Sequence, residues 1–278
     1  MGTYLDAILA AHRAVAASDD RSLDRLVDEA IRCPPTRGFA AALRSTDGLA
    51  VIAEVKRRSP SKGPLAVDVD AAELARTYRD GGASCLSVLT DVDAFGGSVE
   101  DLVAARDASG LPVIRKDFTV SALDVADARL MGADCVLLIV AALDDGELAD
   151  FAGLAIHLDL DVLVEVHDEA ELERAIAAVP QLGQASNEEP PTVGSPVAEV
   201  IVGVNQRDLV TFEVDQDRAV RVARAIPDGV VRVAESGVRG PDDAVTLAAA
   251  GYDAVLVGEH LVTAEDPAGA LRSLRVGG

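Results

Sequence analysis

Residues 112–140 read PVIRKDFTVSALDVADARLMGADCVLLIV and contain two short apolar runs separated by a helical pattern. The runs Pro112–Lys116 and Cys135–Val140 have the composition of parallel strands buried on both faces. Between them, Ser121–Met131 has the periodicity of an amphipathic helix, and the Gly-Ala-Asp at 132–134 ends it. This stretch therefore predicts one strand–helix–strand unit.

The same unit recurs along the chain. Apolar runs begin at intervals of roughly 23 to 38 residues, the size of a strand–helix unit. Eight units in series predict an α/β protein with a closed (β/α)8 barrel, or TIM barrel. A doubly wound open sheet is the alternative, although such sheets usually have fewer strands. The predicted strands are Leu49–Val55, Cys85–Thr90, Pro112–Lys116, Cys135–Val140, Val162–Val166, Val200–Val204, Val230–Ala234 and Ala254–Val257.

Residues 1–48 precede the first predicted strand and form an N-terminal extension. Two helical stretches, Tyr4–Ala17 and Ser22–Ile31, are followed by the pair Pro34-Pro35. We interpret this segment as a helical extension packed on the barrel, so that 1–278 is a single domain. The polar stretch Gln181–Ser195 falls between the fifth helix and the sixth strand, which predicts a surface insertion on the N-terminal face of the barrel.

Charge and composition exclude several classes of partner. The net charge of −22 repels nucleic acid and anionic lipid. The sequence contains no run of 18 or more uncharged apolar residues, so it predicts no membrane span. The first residues lack the basic flank of a secretory signal. Three widely spaced cysteines without a C-x-x-C pair predict neither a disulfide framework nor a zinc site. We therefore expect a protein of the reducing cytoplasm that holds no metal.

Lysine is scarce in this acidic chain. Acidity with little lysine is typical of proteins from a salt-loaded, halophilic cytoplasm, where salt screens self-repulsion within about 3 Å at 1 M. An ordinary acidic bacterial protein is the alternative. The halophilic interpretation predicts loss of structure when salt is removed. The three lysines, Lys56, Lys62 and Lys116, all lie at or just after the ends of the first and third predicted strands.

Ligands of such a barrel bind at the carboxyl ends of its strands. Five predicted strands bring a polar group to that rim: two lysines, three glutamates and an asparagine. The first strand ends in Glu54 and Lys56, which share one side because side chains alternate along a strand. The other polar groups at these strand ends are Lys116, Glu165, Asn205 and Glu235. The eighth strand ends in Val257-Gly258-Glu259.

The residues around these strand ends indicate an anionic ligand. The segment 56–63, KRRSPSKG, carries four positive charges in a strongly acidic chain. Ser236, Gly237 and Gly258 follow the seventh and eighth strands, whose loops hold phosphate in many barrels through backbone N–H groups.

Proton-transfer chemistry suits lysines and glutamates that face one another across such a rim. A lysine that is partly desolvated beside other cations has a lowered pKa, and a glutamate in an apolar mouth has a raised one. His167 has the same parity as Glu165 and could approach the site, although a structural role is favoured. No Ser-His-Asp, P-loop or H-E-x-x-H pattern is present in the sequence.

Several of these segments together resemble one family. The run 52–63, IAEVKRRSPSKG, is similar to the signature of the indole-3-glycerol phosphate synthases. So are Leu89-Thr90 with the FGGS at 95–98, the RKDF at 115–118, the EVHD at 165–168, the VNQRDL at 204–209 and the AESG at 234–237. The similarity runs in order from about residue 50 to the end of the chain, and an N-terminal extension is also typical of the family.

The resemblance implies an activity and a role for each site residue. The reaction closes the indole ring of 1-(2-carboxyphenylamino)-1-deoxyribulose 5-phosphate with loss of CO2 and water, without a cofactor. Lys116 is then the general acid, Lys56 holds the substrate carboxylate, and Glu165 acts in dehydration. Glu54 and Asn205 orient these groups, Glu235 contacts hydroxyls, and Arg207 helps to hold the carboxylate. The remaining contacts are phosphate ligands (Ser59, Ser236, Gly237, Gly258) and the lining of an aromatic pocket (Phe95, Phe118, Leu137).

Two other functions are alternatives to the one that the resemblance implies. A phosphoribosylanthranilate isomerase would need a cysteine base where Glu54 and Lys56 stand. A catalytically silent barrel that binds a phosphorylated ligand or a partner protein would be expected to lose Lys116 or Glu165. The favoured prediction is an enzyme with a small phosphorylated substrate, active as a monomer or weak oligomer, with association with other enzymes of tryptophan biosynthesis left open.

Overall fold

The computed structural model describes residues 3–183, 198–208 and 210–277. Within these residues, eight parallel strands form one closed barrel in which each strand pairs with its neighbours in sequence and the last pairs with the first. The predicted TIM-barrel fold is therefore confirmed. The strands are β1 (Ala50–Val55), β2 (Cys85–Leu89), β3 (Val113–Lys116), β4 (Cys135–Ile139), β5 (Asp161–Val166), β6 (Val200–Asn205), β7 (Arg232–Glu235) and β8 (Ala254–Val257).

Strand boundaries differ from the predicted apolar runs by up to two residues. Leu49 is buried but lies outside β1, because its N–H donates to the carbonyl of Val276 near the C-terminus. Conversely, β5 begins with the charged residue Asp161. Its carboxylate accepts hydrogen bonds from the backbone N–H groups of Glu199 and Ala40, so that a polar residue is satisfied inside the barrel end.

Helices alternate with the strands and surround the barrel. Two short 3-10 segments, Val140–Ala142 and Ala223–Ala225, and a small antiparallel hairpin, Arg58–Ser59 with Gly63–Pro64, complete the secondary structure. The helices are α1 (Tyr4–Ser18), α2 (Leu23–Ala30), α3 (Phe39–Arg44), α4 (Ala71–Gly81), α5 (Val92–Phe95), α6 (Val99–Ser109), α7 (Ala122–Leu130), α8 (Asp145–His157), α9 (Glu169–Ala178), α10 (Pro180–Gly183), α11 (Gln216–Val222), α12 (Pro241–Ala249), α13 (Glu259–Val262) and α14 (Pro267–Leu274).

Six of the loops that follow strands end in a capping residue. The side chains of Asp70, Ser98, Ser121, Asp144, Asp168 and Asp215 each accept a backbone N–H in the first turn of the next helix. Capping satisfies a donor that the helix itself leaves free and fixes the point at which the helix begins. These caps therefore hold the loops at the C-terminal end of the barrel, where the site lies.

Alternating side chains divide the hydrophobic core into two layers. One layer fills the barrel and includes Ile52, Ile114 and Leu163, while the other lies between the strands and helices and includes Val51 and Val136. This division follows from the period of two along each strand. The interior layer is solid, so a ligand has access only at the ends of the strands.

The N-terminal extension reaches both ends of the barrel. Helix α1 crosses the C-terminal end, where Arg13 contacts Glu147 of α8, and α2 packs against α7. Helix α3 was not predicted. Its Phe39 and Leu43 are fully buried against the interior layer, and the Phe39 carbonyl accepts a bond from Cys85 Sγ at the start of β2. Helix α3 thereby closes the N-terminal end.

Two further predictions from the sequence concern the insertion at 181–195 and membrane spans. Of the predicted insertion Gln181–Ser195, residues 181–183 belong to α10 and the rest lies outside the described residues. Across the described part of the chain, no helix combines the length and the hydropathy that a membrane crossing requires.

Candidate active site

A cavity of about 580 Å³ opens at the C-terminal mouth of the barrel. Its walls are formed by strand ends and by the loops that follow them, as expected for this fold. The mouth cavity is lined by thirteen of the fourteen residues predicted for the site: Glu54, Lys56, Ser59, Phe95, Lys116, Phe118, Glu165, Asn205, Arg207, Glu235, Ser236, Gly237 and Gly258.

Leu137 is the predicted residue that does not border the mouth cavity. It lies in the middle of β4, where its side chain is buried in the interior layer of the barrel. Ile139, two positions further along the same strand, faces the same side and reaches the cavity wall. The motif identified the correct strand and the correct face of it. It could not identify which residue on that face reaches the cavity, because the depth of the cavity floor depends on how the strands are staggered.

The Lys116 ammonium lies close to two carboxylic groups, one on β5 and one on β7. Its Nζ is 3.1 Å from Glu165 Oε2 and 3.6 Å from Glu235 Oε2. Asn205 Nδ2 donates to the other oxygen of Glu165 at 3.1 Å. Four strand ends therefore bring a cation, two carboxylic groups and an amide into mutual contact, and all but Lys116 are almost completely buried.

Burial and charge act against each other at Lys116. Burial lowers the pKa of its ammonium, but the carboxylates of Glu165 and Glu235 outweigh burial and hold the pKa above its ordinary value. The lowered pKa predicted from the sequence is therefore wrong. The charged groups around Lys116 are carboxylates, whereas the sequence suggested the basic residues of the segment 56–63.

The two carboxylic groups of this cluster have opposite pKa shifts. Burial raises the pKa of Glu235 well above its ordinary value, and the neighbouring Glu165 carboxylate adds to that effect. Burial also raises the pKa of Glu165, but Lys116 and His167 reverse this, so that its pKa is lowered. The two shifts thus make Glu165 the stronger acid of the pair and Glu235 the weaker one, an arrangement that separates base and acid roles.

The carboxyl oxygens of Glu235 are also available to a ligand. Neither of its carboxyl oxygens has a hydrogen-bond partner among the described residues, although both are buried. On the neighbouring strand β6, Gly203 leaves the space that this side chain occupies, because a Cβ there would overlap Glu235 Oε1. A buried polar group without a protein partner at a cavity wall is available for a substrate hydroxyl.

Lys56 and Glu54 form a second ion pair at the end of β1. Lys56 Nζ donates to Glu54 Oε1, and Ser87 Oγ lies 3.5 Å from the other carboxyl oxygen. Gly258 lies against this pair, since a Cβ there would overlap Glu54 and come within 2.9 Å of Lys56 Nζ. The ammonium is held at the cavity wall, with 16% of its side chain exposed.

The basic segment 56–63 contributes less charge to the mouth cavity than the sequence suggested. Arg57 is turned outward, where it pairs with Asp101 at 2.7 Å and donates to the carbonyls of Val67 and Val69. Of the four basic residues, Lys56 and Lys62 line the cavity. Lys62 pairs with Glu259 at the start of α13, at 3.1 Å.

Backbone geometry marks one end of the mouth cavity as suited to an anion. Ser236 and Gly237 both have positive φ, at 64° and 76°, and a Cβ at position 237 would come within 2.6 Å of Val214. Gln206 donates to the Ser236 carbonyl at 2.7 Å and fixes this turn. Consecutive unusual backbone conformations of this kind direct N–H groups into a concavity that binds anions. Ser59 also lines the mouth cavity.

Aromatic rings form the other end of the mouth cavity. The centroids of Phe95 and Phe118 are 6.5 Å apart, and the His12 ring of α1 lies 5.4 Å from Phe118. His12 Nε2 also donates to Asp91 Oδ2 at 2.8 Å. The pattern of α1 does not single out His12, because the placement of this residue depends on α1 crossing the mouth.

Arg207 lies on the rim formed by the loop after β6. Its backbone N–H donates to Asn205 Oδ1, and its guanidinium donates to the Phe212 carbonyl at 3.1 Å. A short bridge to Val214 fixes this part of the loop. The guanidinium therefore borders the mouth cavity beside the group that positions Glu165.

The family model for indole-3-glycerol phosphate synthase matches residues 5–183 and 186–274. The chain belongs to the indole-3-glycerol phosphate synthase family. The curated enzymes of that name from Mycolicibacterium vanbaalenii and Mycolicibacterium smegmatis are each 46% identical over 278 residues, and that from Mycobacteroides abscessus is 45% identical over 279 residues. These alignments cover 99–100% of this chain and 95% of each relative.

Solved structures support the fold independently of the family. A thiamine phosphate pyrophosphorylase from Pyrococcus furiosus aligns with a TM-score of 0.55 at 16% identity, covering 82% of this chain and 95% of that one. An N-acetylmannosamine-6-phosphate 2-epimerase from Clostridium perfringens gives 0.54 at 13%, covering 76% and 86%. At such low identity the similarity concerns the barrel alone.

Proposed function

We propose that this protein is an indole-3-glycerol phosphate synthase, a carboxy-lyase of tryptophan biosynthesis. It converts 1-(2-carboxyphenylamino)-1-deoxyribulose 5-phosphate to indole-3-glycerol phosphate, CO2 and water. The observation that carries the proposal is the position of Lys116, 3.1 Å from Glu165 across the barrel mouth, with the Lys56–Glu54 pair on the same cavity wall. A substrate with a carboxylate, a ketone and a phosphate fits this distribution of charge.

Ring closure is the first bond-forming step. The aryl carbon that bears the carboxylate attacks the keto carbon, and Lys116 Nζ gives a proton to the keto oxygen. The raised pKa of Lys116 keeps it protonated at neutral pH, so the proton is present when the substrate arrives.

Lys56 binds the substrate carboxylate until it departs. Its ammonium forms a charge-assisted hydrogen bond with the carboxylate, and Glu54 fixes its direction. Arg207 lies at the same cavity and helps to hold this group. After ring closure, cleavage of the bond to the carboxylate releases CO2 and restores the aromatic ring.

Dehydration completes the indole. Glu165, kept ionised by Lys116, removes a proton from the methylene carbon of the ring that forms, while the hydroxyl derived from the ketone takes a second proton from Lys116 and leaves as water. Asn205 holds the Glu165 carboxylate in place through its amide, and Glu235 contacts the hydroxyls of the substrate chain. The sequence of steps involves no net oxidation, so it requires no redox cofactor.

The two ends of the substrate bind at opposite ends of the cavity. Ser59, Ser236, Gly237 and Gly258 surround the phosphate, and Phe95 and Phe118 contact the aryl ring. In the cell the protein acts in the cytoplasm as a monomer or weak oligomer. Association with other enzymes of tryptophan biosynthesis is part of the same proposal.

Indole formation by the purified protein tests this proposal. The chain is mixed with the carboxyphenylamino-deoxyribulose phosphate in buffer with high salt, and indole absorbance or fluorescence is followed. We expect indole-3-glycerol phosphate and CO2 in equal amounts. A sample that circular dichroism shows to be folded, and that forms no indole, would refute the assignment.

A further inference from the structure

His167 lies between the active site and a second, smaller cavity. It follows β5 directly, two residues after Glu165, and its ring borders an outer cavity of about 280 Å³. Glu165 borders the mouth cavity instead. The imidazole, of which 11% is exposed, therefore separates the Glu165 carboxylate from an opening on the outer side of the barrel.

The first turn of α9 fixes the orientation of this imidazole. Glu171 Oε2 accepts the backbone N–H of His167 at 2.8 Å and lies 3.0 Å from its Nδ1. Glu171 is itself placed by its own N–H, which donates to the capping residue Asp168. A carboxylate on one ring nitrogen determines the tautomer and directs the other nitrogen.

The second ring nitrogen faces Glu165. His167 Nε2 lies 3.6 Å from Glu165 Oε1, is buried, and has no hydrogen-bond partner among the described residues. A distance slightly beyond a hydrogen bond is common in substrate-free catalytic sites and shortens when the substrate binds. The geometry thus places a titratable nitrogen against the carboxylate that contacts Lys116.

The charges around His167 favour the protonated form of its imidazole. Burial lowers its pKa, the hydrogen bond to Glu171 and the charge of Glu165 outweigh burial and raise it, and Arg218 opposes them. The other charged residues that line the outer cavity are Asp168, Glu169, Asp208 and Arg221.

The proposed reaction consumes one proton in each turnover. Two protons are added to the keto oxygen before it leaves as water, and one is returned from the methylene carbon that joins the indole ring. The substrate enters as a carboxylate and that group leaves as neutral CO2, so the balance is one proton taken from solvent. Lys116 must be reprotonated while ligands occupy the mouth.

We propose that His167, oriented by Glu171, is a positioning residue that passes protons from the outer cavity to Glu165, from which Lys116 is reprotonated. The path follows contacts of 3.6 Å from His167 to Glu165 and 3.1 Å from Glu165 to Lys116. This inference rests on the proposed function, because the need for a proton follows from that reaction.

Kinetics of His167→Ala with and without added imidazole test the relay. We expect kcat to fall by about tenfold or more, KM to stay within about twofold, and imidazole to restore part of kcat by entering the outer cavity. The pH profile of kcat should lose the inflection that His167 contributes. His157→Ala is the matched control, since His157 is exposed at the end of α8 and should leave kinetics and pH profile unchanged.

The outcomes separate the relay from the enzyme assignment. An active wild type together with an unaltered His167→Ala kcat, or a loss that imidazole does not restore in a folded variant, overturns the relay alone. His167→Gln, which keeps the size and a donor for Glu171, should show the same kcat defect; full activity of this variant would mean that His167 only supports the loop. Absence of wild-type turnover overturns the proposed function and the relay together.

Discussion

Lys116 reaches the site because it is the last residue of β3, and its chemistry depends on neighbours from β5 and β7. The sequence predicted the first fact from an apolar run that ends in a lysine. It could not predict the second, because the distance from Lys116 to Glu165 and Glu235 depends on barrel closure. For this reason the predicted pKa direction of Lys116 was wrong while its location at the cavity was right.

Replacement of Lys116 by alanine tests the general-acid role. Removing a general acid lowers turnover by about 10² or more, while substrate still binds through its phosphate and carboxylate. We expect kcat to fall by this amount with a much smaller change in KM. The exposed Arg25→Ala is a control for loss of one positive charge. A decrease of less than about tenfold in kcat would remove Lys116 from this role.

Gly258 provides a steric test of the Lys56–Glu54 pair. A methyl group at position 258 would overlap Glu54 and crowd Lys56 Nζ. Because a misplacement of about 1 Å can cost about 10²-fold in rate, Gly258→Ala should reduce kcat/KM by at least about tenfold. Gly153→Ala, in the middle of α8 with no atom within 4 Å of the added carbon, should leave activity unchanged. Equal activity of the two variants would contradict the proposed placement of Lys56.

Among the secondary-structure elements, the pattern of apolar runs predicted the strands and helices of the barrel. It did not predict the helix that closes the N-terminal end of the barrel. Eight strands and the intervening helices follow from periodicity, since each unit buries both faces of a strand. Helix α3, by contrast, has six residues, too few for a helical period to be recognised. Its role as the closure of the N-terminal end depends on Phe39 and Leu43 meeting the barrel interior.

Helix α1 is attached to the mouth by an ion pair that depends on pH. The hydrogen bond to Asp91 raises the pKa of His12 in the folded protein against the opposing effect of burial. Because the pKa of His12 is higher in the folded protein, the ion pair contributes its full stability at pH values below the ordinary histidine pKa of about 6.5. The contribution is lost as pH rises through the raised pKa. Asp117 and Asp124 also face this imidazole.

The midpoint of thermal unfolding as a function of pH measures this effect. His12→Gln should lower the midpoint relative to wild type at pH below 6.5, and the difference should shrink as pH rises above neutrality. Taking the difference between the two proteins cancels the titration of His167, which is common to both. A difference that is constant with pH, or that grows toward alkaline pH, would contradict a charged His12–Asp91 pair.

For the whole molecule, a net charge of −22 sets the response to salt. Some carboxylates are neutralised by arginine, as where Arg21 pairs with Asp19 and Asp127, or Arg13 with Glu147. The remaining negative charges repel one another across the surface, and salt screens this repulsion with a Debye length of about 10 Å at 0.1 M and about 3 Å at 1 M. The charge was evident from composition, whereas the pairing required the fold.

Thermal unfolding in sodium chloride tests the contribution of this charge. We expect the midpoint to rise by about 5 °C or more between about 0.05 M and about 1 M salt, equivalent to about 2 kcal/mol. Most of the rise should come at the low end of that range, where screening changes fastest. The stronger hypothesis of a salt-loaded cytoplasm predicts loss of structure in dilute buffer, and full stability there would contradict it.

In the proposed reaction, Lys56, Lys116 and Glu165 act together on one anionic substrate at the barrel mouth. A crystal structure of the Lys116→Ala variant with the carboxyphenylamino-deoxyribulose phosphate bound would show this arrangement. We expect the substrate carboxylate on Lys56, the keto group facing position 116, and the phosphate at Ser236 and Gly237. A substrate bound in another orientation, or outside the mouth cavity, would contradict it.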